Sequence, residues 1–492
     1  MNEIRLKIRE LILSKSKEYS NMSISELHST EDQNEKTLET SLLKFDYSKQ
    51  RINSDIIDTL LQIPEEIFLR DSLSSLFNGE LQNPSEGRGI SHTLYRSDSP
   101  KKGFDLIYSE KKRIKAFIDQ MSANSTIQNI ICISIGGSRS GPQLIKEFLA
   151  FEEPIKVFFC SSFDLLELRD ALNLCKQKET IIFTVSKSFT TLEITKNLDY
   201  AKSWLKSSLG QDIEDHLYGV SFNKSAMIDY GIKNDNQFEI LDSLSGRNSI
   251  WSSVSIPAFI NSDNNAYINF LEGALLADQH TLNSSWKQNI PVIMALLSIW
   301  NTNALGINNH GIFTYNYRIR SLTRYLSQLS MESNGKTTNH KGEESPFLTS
   351  PLVWGGYGIE SQHSTFQWLM QGKTETSCDF IGIKNDDKKS PNSEEILFSH
   401  VVAAAFGKEN ITQPFKSIKG NNPCSVLQLQ SLDIKNLGFL LSLYEHKTFI
   451  EALILGIDPF DQWGVELGKT LVSRISEDED YLSHLFNPSL LS

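Results

Sequence analysis

A glutamate sits just ahead of an Asn-Gly pair in "SQLSMESNGK", residues 327–336. Asn334-Gly335 marks a turn or the end of a helix. Upstream, Leu322, Tyr325, Leu326 and Leu329 recur at i, i+3, i+4 and i+7, the apolar stripe of an amphipathic helix. At about 100° per residue, Gln328 and Glu332 fall within about 60° of Tyr325, on the inward edge of that helix. A carboxylate on an inward edge is paired, neutralised or used. Glu332 therefore reads as a base aimed into a pocket, with a structural ion pair as the alternative.

Three further places carry residues able to handle protons or oxyanions. In "GGYGIESQHSTFQWLMQG", Ser361 as N-cap sets His363 in the first turn of a helix, where the dipole favours the neutral ring. A capping or packing histidine is the competing reading. In "DPFDQWGVELGKTLVSRI", Asp458 as N-cap, Pro459 at the first helical position and Asp461 two residues on form a helix start. Gln462, Glu466 and Lys469 then share one stripe, and spacing alone reads it as a solvated face with a Glu-Lys pair. Arg247, in "LDSLSGRNSIWSSVS", follows a turn of small residues, and its planar fork suits an oxyanion if it faces the pocket.

Two strand-to-helix loops are rich in hydroxyls. "ISIGGSRSGP" places Gly136, Gly137 and Ser138 after a buried strand, and the glycines allow a tight turn and close approach to a ligand. "TVSKSFTTLE" packs Ser186, Ser188, Thr190 and Thr191 around Lys187 at a helix start. Helix N-termini offer unpaired N–H groups and positive potential to a phosphate. Ordinary caps and turns explain either loop alone; the pair points to phosphate. Neither a GxxxxGK[ST] loop nor a GxGxxG after a strand is present, so the reading is a sugar phosphate held without metal rather than a nucleotide.

These residues need a scaffold, and the chain supplies a repeated one. Apolar runs at 127–135, 154–162, 179–188, 216–222 and 237–243 alternate with helical patterns. Such runs predict a parallel sheet covered on both faces, with both hydroxyl loops on its carboxyl edge. The pattern is helical from 260 to 305, strand-like at 311–317, then again βα to about 440. The predicted class is α/β, with two mainly parallel sheets sandwiched by helices and helical N- and C-terminal extensions. Residues 1–85 read as a mostly helical N-terminal extension packing on the second domain, 86–258 as the first domain, 259–445 as the second, and 446–492 as a helical segment completing the site.

The 492 residues carry a net charge of −12, with 39% hydrophobic and 22% charged residues. The acidic balance argues against general nucleic-acid binding. The longest apolar run, near "PVIMALLSIW", is about half a membrane span, and the charged N-terminus is not signal-like. Cys132, Cys160, Cys175, Cys378 and Cys424 are few and scattered, which fits a reduced, cytoplasmic protein without a disulfide framework or a zinc site.

Together these stretches resemble the glucose-6-phosphate isomerase (phosphoglucose isomerase) family, from about residue 105 to 475. "MESNGK" and "FDQWGVELGK" look nearly unaltered. "SKSFTT" resembles the family's SKTFTT with Ser188 in place of Thr. "GRNSIWS" carries Asn248 where the family has an aromatic, and "GGSRSGP" carries Arg139 where Asp is frequent. "VWGGYGIESQH" departs at several turn positions between Tyr357 and Ser361, and "WLMQG" has Met370 where His is usual.

The resemblance implies two sugar isomerase (SIS) domains and reversible isomerisation of glucose 6-phosphate and fructose 6-phosphate, with no cofactor. It implies that Glu332 moves the proton between C2 and C1, and that His363 and Lys469 assist ring opening. It further implies that Arg247 stabilises the enediolate and Gln328 and Gln462 position substrate. Gly137, Ser138, Ser186, Lys187, Ser188, Thr190 and Thr191 would hold the phosphate. A homodimer is implied, with active sites at the interface and the histidine supplied across it. The rival readings are a non-catalytic SIS-domain regulator that binds a sugar phosphate, and an isomerase that also accepts mannose 6-phosphate.

Overall fold

The apolar runs fold as strands, numbered here in chain order, in a computed structural model that describes residues 2–19, 22–30, 33–98, 100–149, 154–263, 265–385 and 393–477. The first are β1 (Thr37–Glu39) and β2 (Leu43–Lys49), followed by a short antiparallel pair, β3 (Gln82–Asn83) and β4 (Arg88–Gly89). Next come β5 (Asn129–Ile133), β6 (Lys156–Cys160), β7 (Thr180–Val185), β8 (Leu217–Ser221) and β9 (Gln237–Glu239). These five form an entirely parallel sheet in the order β6-β5-β7-β8-β9. Every residue of β5 and β7 is buried, because helices cover both faces.

The second sheet is built on β10 (Asn309–Thr314), β11 (Leu352–Tyr357), β12 (Ser377–Asn385) and β13 (Cys424–Ser431), which pair in parallel. Its strand order is β1-β2-β13-β12-β10-β11, so the N-terminal strands complete it, and both pair antiparallel. The N-terminal extension is mostly helical, as expected, and adds two strands that the sequence reading did not foresee. Residues 1–85 do contain helices, including Asn2–Tyr19 and Leu69–Asn78, but they also give the second sheet its edge. In β2 the buried Leu43, Phe45 and Tyr47 alternate with half-buried Lys44 and Asp46, the period of a strand with one covered face.

Helix Ile434–Leu455 is buried along nearly its whole length and packs against helices Ala266–Asn283 and Ile290–Asn303. It carries polar groups into the core, each with partners. Glu445 accepts from Arg96 Nη1 at 2.6 Å, Asn248 Nδ2 at 2.9 Å and Trp251 Nε1 at 3.0 Å. Arg96 also donates to Asp278 at 2.9 Å. This buried cluster underlies the turn Gly246–Trp251, which reaches the site described next. Of the segment predicted as 446–492, residues 446–455 end helix Ile434–Leu455 and the C-terminal helix is Glu466–Glu477; residues 478–492 lie outside the described residues. Among the described residues no helix is long and apolar enough to cross a membrane.

Candidate active site

Helix Leu322–Asn334 buries Leu322, Tyr325, Leu326 and Leu329, as its stripe predicts. Glu332 and Gln328 are half-buried on the flank of that stripe. Gln328 Nε2 donates to Glu332 Oε2 at 2.9 Å, and Gln328 Oε1 accepts from Ser140 Oγ at 3.1 Å. Ser140 belongs to helix Gly137–Leu149, which begins on the first hydroxyl loop. A Cβ built on Gly136 would touch Gln328 Nε2, and one on Gly137 would run into the Gly246 carbonyl. The glycine pair thus lets the β5 loop press against both the helix that carries Glu332 and the arginine turn. The described geometry brings residues from widely separated parts of the chain to one place.

Arg247 is the hub. Its side chain is 1% exposed and stands 3.6 Å from Glu332 Oε1, measured from Nη1. Nε donates to Ser333 Oγ at 2.7 Å and Nη1 to Gln462 Oε1 at 3.0 Å. Nη2 donates to the carbonyls of Pro459 at 2.5 Å and Asp461 at 3.0 Å. The Arg247 carbonyl accepts from Tyr325 Oη at 3.2 Å. Burial lowers the guanidinium's pKa from its ordinary value, and the charges of Glu332 and Asp461 oppose that shift. The planar fork fits this set of acceptors, which a lysine could not satisfy.

Asn248 takes the aromatic's place in a polar way: its amide donates to Glu445, and its oxygen accepts from Ser245 Oγ at 2.7 Å. Arg139 turns away from the site, pairing with Glu167 at 2.5 Å and with the Ser161 hydroxyl. Met370 is half-buried against the cluster containing Phe313, Phe366 and Leu369.

The second hydroxyl loop lies between β7 and helix Leu192–Leu209. Ser186 is buried and its oxygen accepts from Phe189 N–H at 3.1 Å, leaving the hydroxyl hydrogen to donate. Ser188 and Thr190 hydroxyls are 2.6 Å apart. Thr191 precedes the helix as its N-cap, without a side-chain capping bond. Ser221 Oγ donates to the Lys187 carbonyl at 2.7 Å, and Asn223 Nδ2 to the Ser188 carbonyl at 3.2 Å, which fixes the loop from β8. The Lys187 ammonium faces Asp242 at 3.4 Å, and burial lowers its pKa. A cavity of about 50 Å³ lined by Lys187, Ser245, Gly246 and Gln462 joins this loop to the arginine turn.

Two local expectations fail. His363 is not in the first turn of a helix: the short helix is Gly358–Gln362, and His363 caps its C-terminal end, exposed. The dipole argument made from Ser361 therefore does not apply. Asp458 and Pro459 do not start a helix either. Residues 457–462 form an irregular segment in which Asp458 Oδ1 accepts from Phe460 N–H at 2.9 Å, and a single turn, Trp463–Val465, precedes the helix Glu466–Glu477. Lys469 is exposed and pairs with Glu466 at 2.7 Å. Among the described residues nothing joins His363 or Lys469 to Glu332 within one chain.

The sequence reading missed Ser140, Ser333 and Lys336, and gave Asp461 only a place in a helix start. Lys336 Nζ donates to the carbonyls of Glu332 at 3.1 Å and Ser333 at 2.5 Å, and stands 3.4 Å from Asp461 Oδ1. Burial, then the neighbouring Arg247 charge, lowers its pKa to about 8. Lys336 sits in the "MESNGK" stretch, but only its three-dimensional partner reveals its place.

With the geometry in hand, comparison with known proteins gives a consistent result. A family model described as Phosphoglucose isomerase matches residues 46–489. The chain is 34% identical over 485 residues to a glucose-6-phosphate isomerase of Hydrogenovibrio crunogenus, covering 90% of this chain and 89% of the relative. It is 33% identical over 489 residues to one of Acinetobacter baylyi, covering 90% and 88%. A crystal structure of a glucose-6-phosphate isomerase from Chlamydia trachomatis superposes with a TM-score of 0.89 at 29% identity, covering 100% of this chain and 99% of that one.

Proposed function

Because this chain belongs to the phosphoglucose isomerase family, we infer that it is an aldose–ketose isomerase that reversibly interconverts D-glucose 6-phosphate and D-fructose 6-phosphate. The non-catalytic regulator reading is not favoured, since curated relatives across the length of the chain are isomerases. The observation that carries the residue roles is the meeting of Glu332, Gln328 and Arg247.

In the proposed mechanism Glu332 takes the C2 proton of the open-chain aldose. The electrons of the C–H bond form the C1–C2 double bond, and the C1 carbonyl oxygen becomes an enediolate oxygen. The hydroxyl proton passes from O2 to O1, and Glu332 returns its proton at C1 to give the ketose. A carboxylate suits this transfer between adjacent carbons. Arg247 is pre-oriented by its carbonyl acceptors and faces the developing oxyanion, so it need not reorganise during the reaction. Gln328 and Gln462 hold the base and the cation in their mutual geometry and position substrate. Gly137, Ser138, Ser186, Lys187, Ser188, Thr190 and Thr191 bind the phosphate at the carboxyl edge of the first sheet.

The proposed active unit is a homodimer. His363 and Lys469 are assigned to ring opening, and both are exposed on the single chain. Trp463, Val465, Leu467 and Val472 expose apolar surface on and before the Lys469 helix, which a second copy would cover. Residues 86–258 and 259–445 are proposed as the two SIS domains. Five free cysteines, four of them buried, support a reducing, cytoplasmic setting.

Purified protein supplied with fructose 6-phosphate in a coupled assay tests the activity. Mixing denatured and refolded Glu332→Gln and His363→Ala chains tests the shared site. Each variant alone is inactive, and the mixture recovers roughly a quarter of wild-type activity if each site draws on two chains. No recovery would place both residues in one subunit's site.

A further inference from the structure

Resting on the isomerase reading, we propose that Lys336 is a positioning residue: its half-buried ammonium ties the end of the Glu332 helix to Asp461 and so holds the segment that orients Arg247. The geometry is a three-way joint. Lys336 Nζ satisfies two terminal carbonyls of the helix, those of Glu332 and Ser333. The same nitrogen is 3.4 Å from Asp461 Oδ1, and the side chains are 14% and 7% exposed. The other oxygen of Asp461 accepts from the Ser85 hydroxyl, and Ser85 Oγ in turn accepts from Trp463 Nε1 at 3.1 Å. The Asp461 carbonyl and the side chain of Gln462, the next residue, both receive Arg247.

The consequence concerns one atom. Arg247 Nη1 is held by Gln462 Oε1 at 3.0 Å and faces Glu332 Oε1 at 3.6 Å. If the 458–462 segment drifts, Gln462 and the Asp461 carbonyl leave together. The guanidinium is then free to close on Glu332 instead of facing the reacting oxygen. Misplacement of a catalytic group by about 1 Å can cost about a hundredfold in rate.

The charged groups facing Lys336 are Arg247 from the Gly246–Trp251 turn and Asp458 and Asp461 from the C-terminal segment. The ammonium is protonated below its pKa of about 8, so the tie is complete at neutral pH and is lost as pH rises through about 8.

Lys336→Met and Lys336→Arg variants test this with kcat and KM for fructose 6-phosphate measured across pH, and with circular dichroism on each variant. The expected result is a drop of about tenfold or more in kcat for Lys336→Met with KM changed less, and activity within about threefold of wild type for Lys336→Arg. Wild-type kcat/KM should show an alkaline fall centred near 8 that Lys336→Arg lacks, because arginine stays charged. Lys336→Met activity within about twofold of wild type would overturn the proposal. So would an unchanged alkaline limb in Lys336→Arg, which also decides the matter if the methionine variant does not fold. Wild-type protein inactive on fructose 6-phosphate would instead remove the isomerase reading itself.

Discussion

Arg247 Nη1 lies 3.6 Å from Glu332 Oε1 while it donates to Gln462 Oε1 at 3.0 Å. The carboxylate and the guanidinium are therefore neighbours without being closed into a hydrogen-bonded pair, since that separation exceeds hydrogen-bond length. A carboxylate fully paired with a guanidinium would be a poorer proton acceptor. The acceptors on Ser333, Pro459, Asp461 and Gln462 hold the arginine and keep its reach toward Glu332 partial.

Replacing Arg247 with lysine tests the value of the fork. A lysine retains charge but cannot serve acceptors on three sides. The expected result is a fall in kcat/KM of about a hundredfold, with most of it in kcat. Steady-state kinetics on fructose 6-phosphate checks it; near-normal kcat would show that only charge matters at this position.

A Ser186→Ala/Thr190→Ala double variant tests the phosphate loop. Both hydroxyls lie on the loop proposed to hold the phosphate, and neither is assigned to proton transfer. KM should rise about tenfold while kcat changes by only a few-fold. An unchanged KM would locate the phosphate elsewhere.

The half-buried His280 predicts acid sensitivity of the fold. Its Nε2 accepts from Ile290 N–H at 3.1 Å, and burial depresses its pKa from 6.5 to about 4. The unfolded chain thus binds a proton between those values that the folded chain does not, so stability falls as pH drops through that window. The contribution is of the order of 3 kcal/mol at full development. Urea denaturation at pH 7 and pH 5 checks it, and His280→Gln should flatten the difference. An equal slope in that variant would assign the acid sensitivity to other groups.

The part of this site that lies on regular structure was legible in the sequence. Leu322, Tyr325, Leu326 and Leu329 fix the phase of their helix, and that phase places Gln328 and Glu332 on the flank where they meet Arg247 and Ser140. The strand-to-helix loops followed from buried strands next to glycine and hydroxyl clusters. The failures are tertiary. Asp458-Pro459 has the local chemistry of a helix start, but the carbonyls of Pro459 and Asp461 turn toward Arg247 instead of closing a helical turn. Ser361 reads as an N-cap, yet it is buried inside a short helix that begins directly after Gly355, Gly356 and Tyr357. Strand β2 was hidden in a polar region, although Leu43, Phe45 and Tyr47 alternate as a half-covered strand must. Lys336 had no local signal, because its partner Asp461 lies far along the chain.

The central claim is that Glu332 carries the proton between C2 and C1. Isomerisation in deuterium oxide, followed by nuclear magnetic resonance of the sugar phosphate, tests it most directly. Wild-type protein should place deuterium at C1 of fructose 6-phosphate and C2 of glucose 6-phosphate. Glu332→Gln should fold, bind the sugar phosphate and lose exchange and isomerisation together, by at least about a thousandfold. Exchange at C1 or C2 retained by that variant at near wild-type rate would contradict the assignment.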